Sequence, residues 1–360
     1  MIGGLAHIFD NLLGRGEAAV TVPPLDGAFR PNRLLDEAEL RIPLTGIDCL
    51  AWLDGKLVAS AGQETMVLTR GRWARRTSYG STVNCIAPAG EGGLAVALSD
   101  GSITIEGGEF DGRRYGTASG LSCITAVAMH GGALYVSNGS ATVAAEEWQR
   151  DLLERNASGS IWRIDLGTGS ASLLAAGLAW PAGLVADEGG LVFAEAWRHR
   201  LVRLDAERPE RRNVLHADLP AYPGRISTAA DGYWLALFAP RSQLVEFVLR
   251  EPAYRKRMMA EVPAQYWVSP KLRAGRSFYE SLQGGGVKHL GLLKPWAPAM
   301  SAGLCVRLDR AFQPRASLQS RADGATHGVT SAVDDGETLY VAARGDGVLV
   351  ALAAGRGGDS

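Results

Sequence analysis

The chain has 360 residues, 37 basic and 38 acidic, giving a formal charge of -1 at neutral pH. That balance removes the electrostatic case for a nucleic-acid partner, because counterion-driven binding needs a concentrated basic surface. The length is ample for one large architecture or two domains.

Glycine is in excess: the 45 glycines exceed the usual ~7%. They stand mostly in GG, DG and NG pairs, the punctuation that many short strands and tight turns require. No apolar run approaches the ~18 residues of a membrane span. Met1 to His7 lacks the basic and apolar regions of an export signal, so the sequence reads as soluble and cytoplasmic. Cys49, Cys85, Cys123 and Cys305 have no zinc-finger spacing and are expected as reduced thiols.

In chain order, residues 1–40 read as an N-terminal extension with a strand at Ala18 to Val22. Six hairpin signals follow, at 49–60, 85–98, 123–137, 184–194, 226–237 and 329–342. Each is an apolar strand, a Gly-containing turn and a second apolar strand. Segments 158–177 and 199–219 supply outer hairpins that complete four-stranded blades. This radial repetition predicts an all-β fold, a six-bladed β-propeller over 41–350, in which each blade covers its neighbour's face around a central channel.

Uneven spacing puts insertions after the third and fifth units, the second covering 244–300 as a partly helical cap. There, Pro252 opens a short helix through Met259. Tyr266, Trp267, Phe278, Tyr279 and Trp296 concentrate aromatics in this stretch. They read either as a cap packed on the blades or as the wall of a small-molecule pocket. Pairing Ala18 to Val22 with Gly347 to Ala351 would close the ring and remove an exposed edge, leaving 351–360 as a flexible tail.

The segments Asp151 to Glu154, Gly159 to Asp165, Gly177 to Gly183, Arg200 to Arg203, Asp218 to Pro223, Cys305 to Asp309 and Val329 to Ser331 resemble the strictosidine-synthase-like propellers. The wider set includes gluconolactonase/regucalcin and the arylesterase paraoxonases. The resemblance implies a small-molecule enzyme working at the channel. In metal-dependent relatives, acidic and amide side chains beginning the innermost strands hold calcium and polarise a lactone or ester. The matching positions here are Asp48, Ser122, Ala182 and the pair Gly224-Arg225. Ala182 and Gly224 carry no side-chain oxygen, and Arg225 brings a cation where a ligand is needed, so no calcium or other cofactor is expected. Plant strictosidine synthases use a glutamate in the last blade, but the matching stretch, Thr326 to Thr330, has His327 instead.

The candidate catalytic residues are accordingly His327 as acid/base, Arg225 as stabiliser of negative charge, and Asp48. Asn84, Ser122, Tyr222, Trp267 and Trp296 are candidate substrate-binding residues. Cys49, Cys85 and Cys123 follow Asp48, Asn84 and Ser122 and read as equivalent positions in three blades. They either pack the inner core or converge as soft ligands on zinc or copper.

The expected function is a metal-independent hydrolytic or condensation/lyase-type reaction on a small organic molecule. A non-catalytic small-molecule-binding propeller and a calcium-dependent lactonase or esterase are the alternatives.

Overall fold

The structure is a computed structural model describing residues 22–116, 120–187, 189–205, 208–277, 279–280, 288–289, 292–293 and 300–355. Alternating apolar segments and glycine turns become six four-stranded antiparallel sheets. The first blade runs Ile47–Leu53, Lys56–Ala61, Glu64–Thr69 and Arg72–Ser78. The innermost strands of the next five are Val83–Pro88, Ile124–His130, Pro181–Asp187, Ala221–Ala229 and Val329–Asp334. Each innermost strand packs on the next, and the sixth packs on the first, which closes the ring.

Closure differs in one particular from the sequence expectation. The last strand, Val348–Ala353, is paired by Leu40–Pro43, with Leu40 opposite Ala351 and Pro43 opposite Val348. Ala18 to Thr21, most of the expected closing strand, lies outside the described residues. Leu40–Pro43 already covers the free edge, which is the physical requirement that closure meets.

The core lies between blades. Leu94, Val96, Ile103 and Ile105 of blade two and Leu134 and Val136 of blade three are 0% exposed and belong to one apolar cluster. Each such side chain contributes roughly 1.5–3 kcal/mol on burial.

Among the described residues, two connections carry α-helices. Helix α1, Trp148–Glu154, lies between the second and third strands of blade three. Helices α2, Gln243–Arg250, and α3, Pro252–Glu261, leave blade five between Gly232–Pro240 and Gly303–Asp309, which pair directly. Pro252 stands at the start of α3, where its missing N–H costs no helical bond. No helix among the described residues is long and apolar enough to cross a membrane.

Every innermost strand is irregular near its start. Register breaks fall between Ile47 and Leu50, Val83 and Cys85, Ile124 and Ala126, Pro181 and Gly183, Pro223 and Ile226, and Val329 and Ser331. A bulge leaves its extra residue without a cross-strand partner and turns it out of the ladder. The residues so released are Asp48, Asn84, Thr125, Ala182, Arg225 and Thr330 with their bulge neighbours.

Candidate functional site

All six of those residues line one cavity of about 200 Å³. Its floor is an ion-pair lattice. Arg225 donates from Nη1 to Asp48 Oδ1 at 3.1 Å and from Nη2 to Asp48 Oδ2 at 3.0 Å. The same nitrogens donate to the Thr330 carbonyl at 3.2 Å and the Asn84 carbonyl at 2.6 Å. Four terminal hydrogens thus meet a carboxylate and two main-chain oxygens from blades one, two and six. Nε is buried without a partner. Thr330 Oγ1 donates to the Asp48 carbonyl at 2.7 Å and braces the first blade against the sixth.

Burial opposes charge on both partners, and their mutual attraction outweighs it. The Asp48 carboxyl is held below its ordinary range by Arg225 and Arg344, and the Arg225 guanidinium is raised by Asp48. Arg344 Nη1 lies 3.3 Å from Asp48 Oδ2, with its side chain 42% exposed.

The walls are aromatic: Trp148 from α1, Trp180 from the entry to blade four and Phe238 from blade five. Trp148 meets Phe238 edge-on at 5.4 Å, and Trp180 stacks on Trp197 at 5.3 Å. Trp180 has φ +56°, a left-handed conformation rare for a bulky side chain. Trp197 is held from behind by its Nε1 donating to Asp151 Oδ1 at 2.7 Å. Burial raises the Asp151 carboxyl above its ordinary value. Glu146, just before α1, adds an exposed carboxylate to the lining.

Of the residues singled out from sequence, Asp48, Asn84 and Arg225 meet in this cavity. His327 does not line it. Its ring is buried, with Nδ1 2.8 Å from Ser301 Oγ and Nε2 2.7 Å from the Arg321 carbonyl. Burial, aided by Arg273, lowers its pKa. Both ring nitrogens are thus engaged within the protein, Nδ1 by Ser301 just after the insertion and Nε2 by the carbonyl of Arg321.

Ser122 is exposed before the strand, and Thr125 takes the channel position of blade three. Tyr222 is fully buried behind the wall, its ring 5.9 Å from Trp197. Trp267 is buried among the helices, with Nε1 donating to the Val262 carbonyl at 2.8 Å. Trp296 lies outside the described residues.

The cysteine alignment changes for the same reason as Ser122. The blade-three counterpart of Asn84 is Thr125, so Cys123 falls out of register with Cys49 and Cys85 and joins a different apolar cluster. Among the described residues no group of three His, Cys, Asp or Glu could hold a metal ion. Burial raises the thiol pKa of Cys49 and Cys85, and that of Cys123 to about 12, so these sulfurs are protonated near neutrality.

The calcium implied by the fold also fails to fit. Both Asp48 oxygens and the Asn84 carbonyl are taken by Arg225, while Ala182 and Gly224 offer no side-chain donor.

Glu146, Trp148, Trp180, Phe238, Thr125, Thr330 and Arg344 were not selected from sequence. The one available signal was position: Trp180 and Thr330 stand within the motifs that carried the resemblance.

No protein-family model matches the chain. A 108-residue stretch is 32% identical to the Arabidopsis thaliana protein strictosidine synthase-like 13 and spans 29% of this chain and 27% of that relative. Among solved structures, a gluconolactonase from Xanthomonas campestris superposes with a TM-score of 0.55 at 12% identity, covering 93% of this chain and 95% of that one. A luciferin-regenerating enzyme gives 0.51 at 12% identity, covering 88% and 94%. These structural likenesses are likenesses of fold. Taken with the six closed blades, they show that the chain has the six-bladed propeller fold of the gluconolactonase, and the 108-residue stretch adds a distant likeness to a strictosidine-synthase-like protein.

Proposed function

We propose that the protein binds a small, flat organic molecule in the channel cavity, without a metal ion. The observation that carries this reading is an aromatic-walled cavity whose floor is already neutralised and braced by the Arg225–Asp48 pair. Ligand sites combine apolar walls with a few fixed polar groups, and typical volumes are roughly 300–1,000 Å³. At about 200 Å³ this cavity suits a bicyclic ring or smaller.

Arg225 is a structural cation in this reading. Its terminal hydrogens are committed to the protein, so it has little left to offer a developing oxyanion. The four cysteines are unpaired, which supports the cytoplasmic location as part of the same proposal.

The test is titration with 2-naphthylmethanol, read by quenching of tryptophan fluorescence. Saturable one-to-one binding, weakened by Phe238→Ala, is expected. Linear, unsaturable quenching would reject the pocket.

A hydrolytic or condensation-type reaction is the second reading, favoured by Glu146, a lining carboxylate outside the Arg225–Asp48 pair. It predicts turnover of an ester such as phenyl acetate that Glu146→Gln abolishes. Equal turnover by both forms would remove Glu146 from that role.

A further inference from the structure

The cavity lining carries two carboxylates, Asp48 and Glu146, and two guanidinium groups, Arg225 and Arg344. One carboxylate, Asp48, faces two guanidinium groups, Arg225 at 3.0 Å and Arg344 at 3.3 Å. Arg225 is 16% exposed with its terminal donors spent on protein oxygens, so its charge is enclosed. Arg344 touches Asp48 through Nη1, lines the same cavity and is 42% exposed. Its fork therefore keeps donors for a visitor. The other lining carboxylate, Glu146, stands just before α1 and is, like Arg344, exposed.

Asp48 is shared between the two guanidinium groups, so Arg344 keeps charge and donors at the cavity edge that an incoming anion can meet. A planar guanidinium matches a carboxylate through two parallel bonds, which an ammonium or a hydroxyl cannot do. Meanwhile Trp148, Trp180 and Phe238 present rings to whatever is attached to that group.

We infer that the ligand is a small aromatic or otherwise flat carboxylate, with its anionic group seated on Arg344 and its ring against Trp148, Trp180 and Phe238. This rests on the pocket reading and adds the chemical class. Asp48 then has a second role, as a positioning residue that holds the inner edge of Arg344 and directs its other donors toward the ligand.

The experiment compares three probes of matched shape, 2-naphthoate, 2-naphthylmethanol and 2-naphthylmethylammonium, on the full chain at fixed ionic strength. The carboxylate should bind about tenfold or more tightly than the other two. Arg344→Gln should erase that preference while leaving the alcohol within about twofold of its wild-type affinity. Arg344→Lys should recover part of the preference, because the charge returns without the fork.

Melting temperatures of both variants check that each remains folded at the temperature of the titration. Equal binding of carboxylate and alcohol by the wild type would overturn the anion inference and leave the pocket standing. Tighter binding of the ammonium would overturn it in favour of recognition by Glu146. Failure of all three probes to bind saturably would remove the pocket reading, and the inference with it.

Discussion

Arg225 reaches from blade five to blade one and clasps the Asp48 carboxylate with both terminal nitrogens, at 3.1 and 3.0 Å. The pair joins the starts of two innermost strands across the channel. Being covalently attached, this cation is present at every calcium concentration.

Breaking the clasp leaves a buried charge and several orphaned carbonyls. Arg225→Met should cost about 3–5 kcal/mol, whereas Arg225→Met combined with Asp48→Leu should recover most of the loss. Urea unfolding of the two singles and the double measures the coupling. A double variant as unstable as the sum of the singles would show that the two residues act independently.

Metal dependence should be absent. Gently purified protein should contain no stoichiometric calcium, and neither EDTA nor added calcium should move its melting temperature. One equivalent of calcium with an EDTA-sensitive melting point would mean that Asp48 is released from Arg225 in solution.

Stability should decline on mild acidification because of histidines rather than Asp48. His199 is buried, and burial followed by the nearby Arg241 holds its pKa well below the ordinary 6.5. Glu246 Oε1 lies 3.6 Å from His199 Nε2 but is held by Arg241 Nε at 3.1 Å, so it offers little compensation. His327 is lowered in the same direction.

For both, the unfolded chain takes up a proton first. Their stabilisation is therefore complete above pH 6.5 and is lost as pH falls toward the folded values. The slope is up to about 1.4 kcal/mol per pH unit for each group. Asp48, whose folded value is depressed, begins to lose its contribution only below about pH 3.9. Unfolding free energies between pH 7.5 and 5 should show this slope, and His199→Gln should flatten it. An unchanged slope would mean that His199 is protonated in the folded protein.

Trp180 should report the wall directly. Trp180→Ala removes the stack on Trp197 and a face of the cavity, so affinity for 2-naphthylmethanol should fall by up to about tenfold. Alanine keeps the Cβ that makes φ +56° costly, so Trp180→Gly, which removes it, should lose less stability than Trp180→Ala. Unaltered probe affinity would place the ligand away from this wall.

The hairpin pattern made the blades legible, because glycine turns and apolar alternation are local signals. Asp48, Asn84 and Arg225 were legible as channel residues through their place at strand starts. Thr125 was not, since the bulge begins three residues after Ser122 and no local signal marks that offset. The place of His327 away from the cavity lining was not legible, because its partners, Ser301 and the Arg321 carbonyl, come from segments whose approach only the folded chain reveals. Glu146 and Trp148 reach the cavity from the connection between the second and third strands of blade three, and its sequence says nothing about which end of the channel it covers.

The bulges have a consequence for how such a protein can change. The channel-facing residues at 48, 84, 125, 182, 225 and 330 stand outside the regular strand pairing. Substitution at one of them therefore alters the chemistry of the axis while the neighbouring rungs keep their partners. Such positions can be rewritten without disturbing the ladder, but Asp48 and Arg225 must change together, because either alone leaves a buried charge unpaired.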